Sequence, residues 1–179
     1  VTGTGNGAGG LVGYNTTSAS ITTSYATGTV TGNNYVGGLV GANTYSCRIT
    51  DSYTTGSVSG TTNVGGFVGY TEGTISASYF DLNTSNQTAA CGNEGTCGAV
   101  GKATAELQAN KTATNLYKTW SDDSWCFNCG NYPVLKNMPT GAPSAASCYN
   151  HCSCSGATPA SNESTGKSKI GRASCRVRV

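Results

Sequence analysis

Charge is scarce in this chain. Asp, Glu, Lys and Arg make up 10% of its 179 residues, aromatic residues 8%, and there is one His, one Met and four Pro. What charge exists is uneven. Lys167, Lys169, Arg172, Arg176 and Arg178 all follow residue 166, so residues 1–166 hold five basic and eight acidic side chains, a balance of −3. No basic patch is left there to meet a phosphate backbone, which excludes nucleic-acid binding. A lone His, His151, lies in a linker-like segment and does not support a Ser-His-Asp or Cys-His nucleophile. No apolar run is long enough to cross a bilayer, so no membrane insertion is expected within this chain. Large apolar side chains are too few for a broad globular core.

Gly, Ser, Thr, Asn and Cys are plentiful instead. There are 26 Gly and nine Cys. So many Cys with almost no His favour disulfides over metal binding, and hence an oxidising compartment: extracellular or cell surface.

The glycines are periodic. Gly9-Gly10-Leu11-Val12-Gly13 returns as Gly37-Gly38-Leu39-Val40-Gly41 and as Gly65-Gly66-Phe67-Val68-Gly69, each 28 residues after the last. Residues 9–32 and 37–60 match at 16 of 24 positions without gaps. The third copy keeps Ile75 and Ser78-Tyr79, and is two residues shorter between Gly69 and Ile75. A fixed period of this size signals stacked repeats, whose narrow core needs few apolar residues per coil. The expected fold is all-β: a β-solenoid, by default a right-handed parallel β-helix, of about three 28-residue coils over residues 1–80. Each coil offers three extended segments, around 35–40, 47–53 and 57–59 in the second copy. Strand alternation puts Ile49 and Tyr53 on one face, with Asp51 between them, so a core column of Val, Leu, Ile and Tyr is expected. Val1-Thr2-Gly3 resembles Val30-Thr31-Gly32, so the array is expected to continue N-terminally.

Residues 81–137 read as an irregular C-terminal cap holding both Trp and a short helix capped by Thr104. Residues 138–169 read as a flexible linker, and 170–179 resemble a translated sequencing adapter, hence a non-biological tail.

The motif residues Gly10, Leu11, Gly13, Gly38, Leu39, Gly41, Gly66, Phe67 and Gly69 carry a family resemblance. With the downstream Ile-x-x-Ser-Tyr-x-Thr-Gly-x-Val-x-Gly at 21–32 and 49–60, they resemble the GLUG-motif family. The Ser-Tyr-Phe-Asp exit at 78–81 and the Asn131-Tyr132-Pro133-Val134-Leu135 close resemble the usual end of such arrays. The resemblance implies large bacterial or archaeal surface and secreted proteins, and supplies no catalytic residues. The cysteines of the cap depart from it.

Candidate chemistry is thin. Cys91, Cys97, Cys126, Cys129, Cys148, Cys152 and Cys154 are disulfide candidates, with pairing open. A four-thiolate zinc site at Cys91, Cys97, Cys126 and Cys129 is the alternative, and a redox-active Cys126-x-x-Cys129 a third. Cys47 and His151 have no assigned role. Gly5 to Gly10 match G-x-G-x-x-G but lack the helix and acid that a nucleotide site needs. Asp81, Glu94, Asp122 and Asp123 are too scattered to read as a glycosidase pair. Asn15, Asn83, Asn86, Asn110 and Asn162 each open an N-x-Ser/Thr sequon. No catalytic residue or cofactor is expected. The expected role is a non-catalytic surface or secreted module, an adhesin or stalk binding glycan or protein. The alternative is an accessory region of a secreted peptidase or polysaccharide-degrading enzyme whose catalytic domain lies outside the chain.

Overall fold

The computed structural model describes residues 1–93, 97–109, 111, 114–127 and 130–136. The linker and tail assignments, with Cys148, Cys152, Cys154 and His151, lie outside the described residues.

Each copy forms one coil. The first contains β1 (Asn6–Gly9), β2 (Val12–Asn15), β3 (Ser20–Thr22), β4 (Tyr25–Ala26) and β5 (Val30–Thr31). The second contains β6 (Asn34–Gly37), β7 (Val40–Asn43), β8 (Arg48–Thr50), β9 (Tyr53–Thr54) and β10 (Val58–Ser59). The third contains β11 (Thr62–Gly65), β12 (Val68–Thr71), β13 (Thr74–Ser76) and β14 (Ser78–Asp81). Equivalent strands pair parallel and in register, so that Ala8, Val36 and Val64 stack, as do Val12, Val40 and Val68. The two-residue deletion is absorbed before β13, and Ile75 still pairs with Ile49. The fold is a β-solenoid.

The three extended segments expected per coil are five short strands. The glycine motif breaks the first segment. It is a tight arch that folds β6 back against β7. At Gly37 a Cβ would sit 2.0 Å from the Val40 carbonyl oxygen, and at Gly41 it would sit 2.6 Å from Gly7 backbone in the coil before. No side chain fits in either place, so the two sheets of the arch touch backbone to backbone.

The middle segment is broken by a left-handed residue: Thr23, Asp51 and Ala77 have φ of 51°, 49° and 45°. The serine that follows stabilises the break. Ser24, Ser52 and Ser78 Oγ each donate to the carbonyl two residues back, at 2.8 Å in every coil. Ser52 and Ser78 Oγ also accept the N–H of the equivalent serine in the coil before, at 3.2 and 3.4 Å. The break corrects the expected core column. Ile49 and Ile75 point into the central core with Leu39, Val40, Phe67, Val68 and Phe80. Tyr53 and Tyr79 leave it for a separate aromatic cluster. A second small core of Val30, Val36 and Val58 fills the turn between β5 and β6 and its counterparts.

Rung stacking runs past residue 80. Phe67 N–H donates to the Ala90 carbonyl, Val68 bridges to Cys91, and β15 (Ala99–Lys102) pairs in parallel with β14. These segments form a partial fourth coil over the last core residues. The helix α1 (Thr104–Leu107) follows, then β16 (Trp125–Cys126) paired antiparallel with β17 (Val134–Leu135). The N-cap of α1 is Ala103, not Thr104. Glu106 reaches back to the Ala103 N–H at 3.0 Å, while the Thr104 hydroxyl is drawn away to Asp81.

Candidate functional site

Three places merit scrutiny: the aromatic flank, the cysteines, and the tyrosines on the arch.

The region after β15 does not only close the end of the solenoid. It folds back along one side. Tyr25, Tyr53 and Tyr79 project there from successive coils, and the Tyr25 and Tyr53 rings stack 5.3 Å apart and nearly parallel, at 6°. Trp120, Trp125, Tyr117 and Phe127 cover them. The phenol hydroxyls are anchored in this cover. Tyr53 donates to the Pro133 carbonyl at 2.6 Å, Tyr79 to the Leu116 carbonyl, and Tyr117 to the Leu107 carbonyl at 2.7 Å. Trp120 Nε1 returns a bond to the Ala77 carbonyl at 2.8 Å. Burial pushes the pKa of Tyr53, Tyr79 and Tyr117 above the ordinary tyrosine value, which holds them protonated and donating. Inert, neutral and enclosed, this cluster fits packing rather than chemistry.

Asp81 joins this flank to the last coil. It is fully buried. Its carboxylate accepts from Tyr132 Oη at 2.5 Å, Thr104 Oγ1 at 2.7 Å, and the backbone N–H of Asn83 and Thr84 at 2.8 and 3.3 Å. Burial first, and then the bond to Asp81, pushes the Tyr132 phenol up to about 12. Both oxygens are filled by donors from the chain itself, so Asp81 serves as a clasp. Asp122 is exposed and paired with Lys111 at 2.9 Å, and Glu94 lies outside the described residues.

Cys91 and Cys97 form a disulfide. Cys91 sits on the last rung, at its bridge to Val68, so the bond pins the partial fourth coil. Cys126 is disulfide-bonded as well, and Cys129 lies outside the described residues. Sulfurs held in disulfides do not present the thiolates that zinc needs. Cys47 is a buried free thiol packed inside the second coil. The G-x-G-x-x-G match at Gly5 to Gly10 runs through β1 into the arch and on to β2, with no helix to receive a phosphate. The sequon residue Asn15 is buried in a side-chain ladder, donating to Asn43 Oδ1 at 2.8 Å.

The arch carries tyrosines of another kind. Tyr14 is 49% exposed, and Tyr35 and Tyr70 are half-buried. The Tyr35 and Tyr70 rings lie 5.2 Å apart. Tyr70 Oη donates to Glu72 Oε1 at 2.8 Å, and this bond raises its pKa. The sequence reading did not single these residues out. The signal for them is split between two repeat columns, so that aligning either column alone shows no tyrosine ladder.

The coil boundaries agree with a known repeat. A family model described as the GLUG motif matches residues 4–31 and 32–59, the first two coils. Residues 4–59 are two GLUG repeats. No curated protein and no solved structure matches it. The third coil of this GLUG array, beyond the matched residues, carries the shortened stretch before β13 and the Asp81 clasp.

Proposed function

We propose that this chain is a non-catalytic module of a cell-surface or secreted protein, acting as an adhesive or structural stalk that binds glycan or protein. The observation that carries the reading is the in-register stacking of successive coils around glycine arches that admit no side chain. Stacked coils of this kind make a stiff rod with a repeating outer face. The buried carboxylate is saturated by internal donors, and the buried tyrosines are held neutral, which leaves these groups to structure. The Cys91–Cys97 disulfide fits an oxidising compartment.

The test pairs two measurements on the purified chain. One is binding to immobilised polysaccharides and extracellular-matrix proteins. The other is hydrolysis of the same materials. Saturable binding without turnover is the expected result. Turnover that persists through repurification overturns the non-catalytic reading, and loss of all binding overturns the adhesive one.

A further inference from the structure

Folding does not account for the exposed tyrosines of the arch. Tyr14, Ala42 and Tyr70 stack in one column across the coils. In the neighbouring column Gly7, Tyr35 and Asn63 hold a left-handed backbone position, with φ of 80°, 55° and 50°. Each coil therefore places one tyrosine on this face: from β2 in the first, β6 in the second and β12 in the third. The Tyr35 and Tyr70 rings, from different columns, lie side by side 5.2 Å apart. Tyr14 lies over Gly7, where a Cβ would sit 2.1 Å from the ring. Gly and Asn are the residues that tolerate left-handed backbone, and Tyr is not. In the second coil a half-exposed aromatic is thus kept at a strained position where the other coils carry the tolerant types. Strain retained at a solvent-facing ring points to contact with a ligand.

We propose that Tyr14, Tyr35 and Tyr70 form a stacking platform for an uncharged glycan chain lying along the solenoid axis. The inference rests on the reading of the chain as a binding module. The rings recur once per coil, and coils are separated by the strand spacing of about 4.8 Å, so the face suits a polymer with its own short repeat. Tyrosine offers an apolar ring face for the C–H face of a sugar and a hydroxyl for its polar edge. Charge selects the ligand further. The strands that build the arch, β1, β2, β6, β7, β11 and β12, contain no Asp, Glu, Lys or Arg. Glu72 adjoins them, but its carboxylate already accepts from Tyr70 Oη at 2.8 Å and from the Tyr45 N–H at 3.4 Å. A charged ligand would find no complementary charge on this face.

Affinity electrophoresis of the full chain tests the proposal, in gels containing hydroxyethylcellulose, galactomannan or polygalacturonate. Retardation by a neutral polymer and none by polygalacturonate is expected. Tyr35→Asn copies the third coil, so it keeps the fold. Combined with Tyr14→Ala and Tyr70→Ala it should raise the dissociation constant at least about tenfold, with the circular-dichroism melt retained. No retardation by either neutral polymer overturns the proposal. Equal retardation of wild type and triple variant overturns the platform while leaving the binding-module reading intact. Preferential tyrosine-dependent retardation by polygalacturonate overturns the uncharged-ligand assignment alone. Hydrolysis of the polymer in the gel overturns the non-catalytic reading itself.

Discussion

Replacing Asp81 probes how the solenoid holds its flank. The carboxylate is fully buried and accepts from Tyr132, Thr104 and two backbone N–H groups. A hydrogen bond to a charged group contributes about 1.5–3 kcal/mol, and a donor left unsatisfied costs about 1–3 kcal/mol. The N–H groups belong to Asn83 and Thr84, both exposed, where water can replace the carboxylate. Tyr132 and Thr104 are half-buried and lose more. Relief of the buried charge offsets part of this loss. Asp81→Ala is therefore expected to cost about 2–4 kcal/mol net, a drop of about 6–12 °C in Tm for a chain of this size. Both Trp lie in the flank, so Trp fluorescence reports its release. Far-ultraviolet circular dichroism reports the coils. Fluorescence should change at a lower temperature than the dichroism in Asp81→Ala, and together with it in wild type. A double-mutant cycle with Asp81→Asn and Tyr132→Phe should give a coupling above about 0.5 kcal/mol. Additivity within about 0.3 kcal/mol, or a Tm shift below about 2 °C, would refute the clasp.

Three further outcomes follow from the same geometry. Ser52→Ala removes the donor to Thr50 and the acceptor for the Ser24 N–H, and should lower stability in urea unfolding by about 1–3 kcal/mol, with Ser24→Ala milder at the edge of the array. Gly41→Ala drives a Cβ into backbone of the first coil, whereas a Cβ at Gly28 meets nothing within 4 Å. The first should cost at least about 1–3 kcal/mol and the second stay within about 0.5 kcal/mol, and equal melts would refute the backbone-contact account of the arch. The third concerns alkaline pH. Tyr53, Tyr79 and Tyr117 are raised above the ordinary tyrosine value of 10.0, and Tyr132 is raised to about 12. The folded state thus holds these phenolic protons more tightly than the unfolded chain does. Their stabilisation is complete below pH 10 and declines as pH rises beyond it, Tyr132's share being lost as pH climbs through about 12. Urea midpoints should fall over that window, less steeply in Tyr132→Phe, and constant midpoints from pH 9 to about 11.5 would contradict it.

The period was legible in the sequence because glycine is irreplaceable where backbone meets backbone, so it repeats without drift, whereas the fold-back it makes was not, since residues 35–40 read as one extended segment. The left-handed break was not legible. Its residues are Thr23, Asp51 and Ala77, three types with no common preference for positive φ. Read as continuous strand, the segment put Ile49 and Tyr53 on one face. The break puts them in separate clusters, and the serine that follows in every coil is the residue that stabilises it. Thr104 misled for a related reason. Its hydroxyl suits an N-cap locally, but a buried carboxylate distant in sequence claims it. The arch tyrosines escaped because they alternate between columns, which only the packing of β6 against β12 brings together.

The exit Ser-Tyr-Phe-Asp and the close Tyr-Pro are matched halves of one contact. Tyr53 and Tyr79 occupy the same column as Tyr25, so the repeat itself supplies the hydroxyls that bind the Pro133 and Leu116 carbonyls. The last coil differs two residues further on. The position held by Thr27 and Thr55 in the first coils is Asp81 in the third. In those two coils no returning segment among the described residues supplies a tyrosine hydroxyl and a helix threonine there, and a buried acid without such donors would be strongly unfavourable. In the third, Tyr132 and Thr104 supply them, and the charge becomes the strongest available acceptor for a chain doubling back. Thr can sit at every coil, but Asp can be buried only where a flank returns to meet it. The change from Thr to Asp at one repeat position therefore marks the coil at which the chain begins to wrap the solenoid's side.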